Sequence, residues 1–179
     1  ELPSSYKHTN ISDGVRSACL KDPSKIAYKH GKNTRTYQEL AQRMDSISSV
    51  ISSFDIPPKS NLGIVASNSI DYMEIVLAAS QLGHPIATVN PKLTAKEIVS
   101  ICEDAQARLI FVDQKVSTVL EGIHIDGTQR KINIENELSN LIDQSSQMSG
   151  LPAIDEKETF TIPYTSGTTG KPKGVLVPH

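Results

Sequence analysis

The chain has 179 residues, 37% of them apolar, with 18 Lys and Arg against 20 Asp and Glu for a formal net charge of −2. That length supports one domain with a sizeable core, and that balance makes no electrostatic case for nucleic acid or an anionic membrane. Five Tyr, three Phe and no Trp are too sparse for a base-stacking surface; no apolar run approaches the ~18 residues of a membrane helix, and Glu1-Leu2-Pro3-Ser4-Ser5-Tyr6-Lys7 lacks the basic start and apolar stretch of a secretion signal.

Ile11, Val15, Ala18 and Cys19 recur at helical spacing, predicting a short amphipathic helix before Pro23. Ile26-Ala27-Tyr28 and Arg35-Thr36-Tyr37 flank His30-Gly31-Lys32-Asn33, the pattern of a hairpin with a glycine-containing turn. Thr36 and Glu39 have the spacing of a capping box, which starts a helix striped by Tyr37, Leu40, Ala41, Met44, Ile47, Ile51 and Phe54 and ended by Pro57-Pro58. Leu62 to Ala66 is an apolar run of strand length. The next helix, about Ser69 to Leu82, is apolar nearly all round and therefore mostly buried, with Gly83 as its C′ residue.

Pro85 to Val89 reads as a second strand, Thr94 and Glu97 as another capping box, and Ile98, Ile101, Cys102 and Ala105 as one face of the helix it opens. Leu109 to Val112 is a third strand. Strands and helices alternating at short spacing predict parallel pairing with right-handed crossovers, and helices on both faces of the sheet. Gly127 to Gly150 is polar, with one weaker helix marked by Ile134, Leu138, Leu141 and Ile142, and Ser145 to Gly150 reads as a flexible connection. Thr159 to Tyr164 enters the last loop as a strand and Val175-Leu176-Val177 leaves it as another. Cys19 and Cys102 sit inside helical apolar patterns, as buried, inert thiols do, which fits a reducing cytosol. His8, His30, His84 and His124 show no metal-ligand spacing, and the carboxylates are spread along helices like solvated faces.

The chemistry is concentrated in Tyr164-Thr165-Ser166-Gly167-Thr168-Thr169-Gly170-Lys171-Pro172-Lys173-Gly174-Val175. Glycines that uncover main-chain N–H groups, hydroxyl donors and ammonium charges are what a loop needs to fold around a polyanion. The pattern G-x-x-x-x-G-K-[ST] does not fit, because the position due for its second glycine is Pro172. The dinucleotide pattern G-x-G-x-x-G fails as well, for want of a glycine two residues before Gly167 or Gly170. A phosphate cradle outside these two classes remains.

This run resembles the phosphate-loop signature of the adenylate-forming superfamily, which includes acyl-CoA synthetases, beetle luciferases and the adenylation domains of peptide synthetases. Arg35-Thr36-Tyr37-Gln38-Glu39-Leu40 is similar to that superfamily's "TYxEL" element. Leu82 to Pro91, followed by Thr94 and Glu97, resembles its "AG…P.NP..T..E" stretch and leans toward acyl- or aryl-CoA ligases. The resemblance runs from about Pro23 to the end. His84 departs from it where small residues are usual, and Pro178 replaces a hydroxyl residue common before the final histidine.

The resemblance implies a three-layer α/β sandwich with a mostly parallel sheet flanked by helices. Residues 1–179 would be the N-terminal part of the AMP-binding (adenylation) domain, the rest of that domain and a C-terminal domain lying downstream. Thr165, Ser166, Gly167, Thr168, Thr169 and Gly170 would line the ATP phosphates. Lys173 would supply phosphate-directed charge as the catalytic candidate, whereas Lys171, at a variable position, reads as a solvated lysine. His179 has a structural or capping role open to it as well as a catalytic one. Metal ligands are expected from none of these residues, since the Mg2+ ligands of the family lie mostly downstream. Partners are a small carboxylic acid, ATP and coenzyme A; nucleic acid and a transmembrane segment are not expected, and the compartment is cytoplasmic unless an organelle signal lies elsewhere. The implied reaction activates the acid as an acyl-adenylate and passes it to a thiol. Amino-acid adenylation for peptide synthesis is the alternative within enzymes, and a non-catalytic nucleotide-binding or interaction module the alternative outside them. With no initiator Met and no capping element after Val175-Leu176-Val177, both ends look cut, which favours an enzyme segment.

Overall fold

The computed structural model describes residues 9–146, 148, 150–165 and 172–179. Helix α1 (Ile11–Lys21) is capped by Asn10, whose side chain accepts from the Asp13 N–H. Strands β1 (Ile26–His30) and β2 (Asn33–Thr36) form an antiparallel hairpin in which His30 faces Asn33. The two-residue connection places Gly31 at φ +60°, a conformation glycine adopts without the Cβ penalty. The capping box forms as its spacing predicts: the Thr36 hydroxyl accepts from the Glu39 N–H, the Glu39 carboxylate accepts from the Thr36 N–H, and α2 (Tyr37–Ser53) begins there.

Strand β3 (Leu62–Val65), helix α3 (Ile70–Gln81), strand β4 (Ile86–Val89), helix α4 (Ala95–Asp104) and strand β5 (Leu109–Val112) follow the predicted alternation. Thr94 and Glu97 make the second capping box. Helix α5 (Gln114–Val119), strand β6 (Arg130–Asn133), helix α6 (Leu138–Gln144) and strand β7 (Thr159–Thr165) complete the layers, with short strands β8 (Lys173–Gly174) and β9 (Val177–Pro178) at the end. The sheet runs β6-β5-β3-β4-β7, all parallel, and β8 and β9 pair antiparallel with β7.

Period-two alternation along the strands divides the core between two faces. Leu62, Ile64, Leu109 and Phe111 meet α2, α3 and α6 on one side. Val65, Ile110 and Val112 meet Ile98, Ile101 and Cys102 of α4 and Val116 of α5 on the other. A smaller cluster of Leu40, Met44 and Leu77 holds the hairpin and α1 against α2 and α3. The three-layer sandwich with a mostly parallel sheet is therefore present.

Three details depart from the sequence reading. Residues 127–150 contain β6 as well as a helix, and Ile134 belongs to the turn between them rather than to the helix. On α3, Met73 is 46% exposed while Glu74 is fully buried, so the carboxylates are not all solvated. Glu74 accepts from Arg35 Nε at 2.7 Å, from Arg43 Nε at 2.9 Å and from the Tyr28 hydroxyl at 3.2 Å. It thereby ties hairpin, α2 and α3 together. The exit strand predicted at Val175-Leu176-Val177 is split into β8 and β9, with Val175 and Leu176 between them. Cys19 and Cys102 are buried free thiols, and burial pushes Cys102 up to about 12. Among the described residues no helix is long and apolar enough to cross a membrane.

Candidate functional site

The carboxyl ends of parallel strands are where open α/β sheets bind ligands. Along this rim Asp113, Asn90 and Asn133 are occupied locally. Asp113, after β5, accepts from the Ser67 N–H at 3.0 Å and caps α5 through the Val116 N–H at 2.9 Å. Asn90, after β4, accepts from the Lys92 N–H at 2.9 Å. Asn133 accepts from the Glu135 and Asn136 N–H groups, both at 3.1 Å. These groups shape turns and are spent on doing so.

The carboxyl end of β7 is different. Tyr164 pairs with Gly174 and Thr165 with Lys173, so the two ends of the Gly/Ser/Thr-rich run lie side by side as an antiparallel stalk. The Val175 N–H donates to the Pro163 carbonyl at 3.0 Å and extends that ladder. The structure thus brings Thr165 and Lys173 together at the mouth of the loop, both exposed, and Lys173 makes no ion pair among the described residues. Ser166, Gly167, Thr168, Thr169, Gly170 and Lys171 lie outside the described residues. Among the described residues the Lys173 ammonium and the Thr165 hydroxyl have no other partner, so at the end of β7, the last of the parallel strands, both can donate to a bound anion.

The stalk contains features the sequence reading missed. The Tyr164 hydroxyl donates to Asp104 Oδ2 at 2.6 Å, and its ring packs beside Ala87, Ala105 and Ile162. Burial and the neighbouring Asp104 carboxylate raise the Tyr164 phenol well above its ordinary value, so it remains a donor. A Cβ on Gly174 would lie 2.8 Å from Ile162 Cγ2 and 3.0 Å from the Tyr164 ring, so this glycine serves close approach rather than backbone freedom. A legible signal existed: Glu103-Asp104 places two carboxylates at the C-terminal end of α4, against the helix dipole.

His179 packs on Phe160, with ring centroids 5.4 Å apart, and burial lowers its pKa. Its N–H donates to the Glu158 carbonyl at 3.2 Å, a contact that serves the strand edge. A cleft of about 480 Å³ opens at the opposite, amino end of the sheet. Lys59, Glu103, Arg108 and Asp126 line it, and such mixed charge does not select a polyanion. Among the described residues no three His, Cys, Asp or Glu side chains are grouped to hold a metal ion.

The sequence model of the AMP-binding enzyme family matches residues 15–179, which include the whole stalk and its loop. The chain belongs to the AMP-binding enzyme family. Relatives of two kinds in this adenylate-forming superfamily illustrate the match. A medium-chain-fatty-acid–CoA ligase of Ectopseudomonas oleovorans is 29% identical over 167 residues, covering 83% of this chain and 30% of that protein. A polyketide synthase–nonribosomal peptide synthetase of Aspergillus flavipes is 30% identical over 158 residues, covering 87% of this chain and 4% of that protein. A long-chain-fatty-acid–CoA ligase structure from Archaeoglobus fulgidus superposes with a TM-score of 0.84 at 22% identity, over 99% of this chain and 38% of that one. The AMP-binding chain therefore has the sandwich of adenylate-forming enzymes, and it spans about a third of the length of the CoA ligase it matches.

Proposed function

We propose that this chain supplies the triphosphate-holding part of an ATP-dependent acid–thiol ligase, with residues 1–179 as the N-terminal part of its adenylation domain. The observation that carries this reading is the antiparallel closure of Thr165 on Lys173 at the carboxyl end of β7. It supports a loop whose two ends, Thr165 and Lys173, are held together. The full site reading comprises Thr165, Ser166, Gly167, Thr168, Thr169 and Gly170 as phosphate donors, with Lys173 as the charge.

In the reaction a carboxylate oxygen of the acid attacks the α-phosphorus of ATP and pyrophosphate leaves. Coenzyme A sulfur then attacks the acyl carbonyl and AMP leaves. Negative charge builds on the departing pyrophosphate, and donors already aimed at it stabilise that charge without reorganising. A loop anchored at both ends also holds the triphosphate so that the leaving oxygen stays in line with the attacking one. Mg2+ finds no built site among the described residues.

Amino-acid adenylation is the second reading, favoured by the similarity to the synthetase of Aspergillus flavipes. One experiment separates the two. Acid-dependent ATP–pyrophosphate exchange by the full-length protein is measured across fatty, aromatic and amino acids, and thioester formation with coenzyme A is then assayed for the acids that respond. Exchange with fatty or aromatic acids plus CoA thioester supports the ligase. Exchange confined to amino acids, without CoA thioester, supports the alternative. No exchange with any acid refutes both.

A further inference from the structure

We infer that Tyr164 and Asp104 are a positioning pair that sets the stalk of the loop, with Gly174 as the surface on which the Tyr164 ring rests; this builds on the reading of residues 165–173 as a triphosphate site. Tyr164 immediately precedes Thr165, and Gly174 immediately follows Lys173. Tyr164 and Gly174 are cross-strand partners, one step below the Thr165 and Lys173 pair at the mouth. The rotation and spacing of that lower pair therefore govern where the upper pair points.

Three contacts fix the lower pair. The phenol is bound to Asp104 at 2.6 Å, the length of a charge-assisted O–H···O bond. The ring is held beside Ala87 of β4 and Ala105, which caps α4. The backbone of Gly174 approaches so closely that a methyl group there would meet the ring carbons at 3.0 and 3.2 Å. Asp104 is poorly placed for its own helix, because its carboxylate sits at the negative end of the α4 dipole with no basic residue in the last turn. Local rules broken without local gain mark positions kept for another purpose. Here the gain lies across the fold, 60 residues along the chain, in the orientation of Tyr164.

The test uses the full-length enzyme and ATP–pyrophosphate exchange, with Y164F, D104A, the double variant and D104N. Y164F and D104A each raise the KM for ATP about three- to tenfold, as expected for displaced donors, while the KM for the acid stays within about twofold. The double variant is no worse than the poorer single one, because both remove the same bond. D104N, whose amide oxygen still accepts from the phenol, restores most of the ATP affinity. A merely structural pair would lower the melting temperature and the active fraction and leave the KM for ATP unchanged, and that result overturns the inference. So does an additive double variant, or a D104N protein as impaired as D104A. If wild type shows no exchange with any acid, the proposed function fails. Calorimetric titration with MgATP then decides the pair by itself. Weaker binding in Y164F and D104A, recovered in D104N, upholds it, whereas equal binding in all variants, or no binding by wild type, refutes it.

Discussion

His84 stands where the family resemblance leads one to expect a small residue, and the fold has given it work. Its ring is 7% exposed, and Nδ1 lies 2.8 Å from the Ser60 carbonyl, to which the neutral ring donates. Burial lowers its pKa below the ordinary 6.5, with the Ser60 bond opposing in part. The unfolded chain therefore takes up a proton near 6.5 that the folded chain resists. Stability from this site is full above the unfolded value and is lost as pH falls through the folded one. The fall in melting temperature between pH 7 and pH 5 should shrink in His84→Gln, with His179 supplying part of the remaining slope. An unchanged slope would show that His84 does not titrate against folding. Lysines make the second residue-scale case. Lys173→Ala should impair exchange more than Lys171→Ala, because Lys173 holds the position where the family resemblance implies the phosphate-directed charge, and it pairs with Thr165 in the stalk. Loss of one charge-assisted bond to phosphate corresponds to ~1.5–3 kcal/mol, or roughly ten- to a hundredfold in rate. Equal effects would refute the assignment. The family was legible because the residue types and order of the run from Tyr164 to Val175 are chemically unusual. Glu74 was not, because a carboxylate in an apolar helix gives no sign of the Arg35, Arg43 and Tyr28 groups that the fold brings to it.

Among the elements, the two capping-box helix starts were readable, whereas helix α5 and one helix stop were not. The capping boxes at Thr36 and Thr94 are complete motifs within four residues, and both form. Helix α3 ends in a Schellman motif with Gly83 at φ +70°, the His84 N–H bonding to the Ala79 carbonyl and the Gly83 N–H to the Ser80 carbonyl. Helix α4 ends in the same motif: the Ala107 N–H bonds to the Cys102 carbonyl and the Gln106 N–H to the Glu103 carbonyl. Its C′ residue is Gln106 at φ +52°, which no glycine signal announces. A left-handed residue with a Cβ carries strain that glycine does not. Gln106→Gly should therefore raise stability by about 0.5–1 kcal/mol in denaturant melts, despite the greater freedom glycine has in the unfolded chain. A loss of stability would mean that the Gln106 side chain contributes contacts worth more than the strain. Strand β6 escaped for another reason. It is an edge strand of four residues whose first member is exposed, so its composition is that of a loop and only Ile132 and Asn133 are buried.

For the whole molecule, the central β3-α3-β4-α4-β5 unit followed from apolar runs of strand length separated by periodic helices, because strands buried on both faces cannot hide their composition. The strand order did not follow, since β7 joins β4 from 70 residues farther along the chain. That pairing brings the loop to the sheet, and it rests on long-range packing rather than on local signals. It also sets the division of labour. A two-faced core lies within the described residues, with Ile64, Ile110 and Phe111 fully buried. The proposed chemistry is here only in part: the stalk pairs Thr165 with Lys173, the proposed phosphate donors, and the chain spans 30% of the CoA ligase it matches. Residues 1–179 expressed alone should therefore melt cooperatively yet show no acid-dependent ATP–pyrophosphate exchange above background. Exchange requires the acid, the α-phosphorus and the leaving group to be held in one geometry, and the proposed phosphate cradle would supply only the last of these. Robust exchange by this piece would place the whole reaction within 179 residues and overturn that division. A melt without cooperativity would show instead that the sheet depends on chain beyond β9 for its stability.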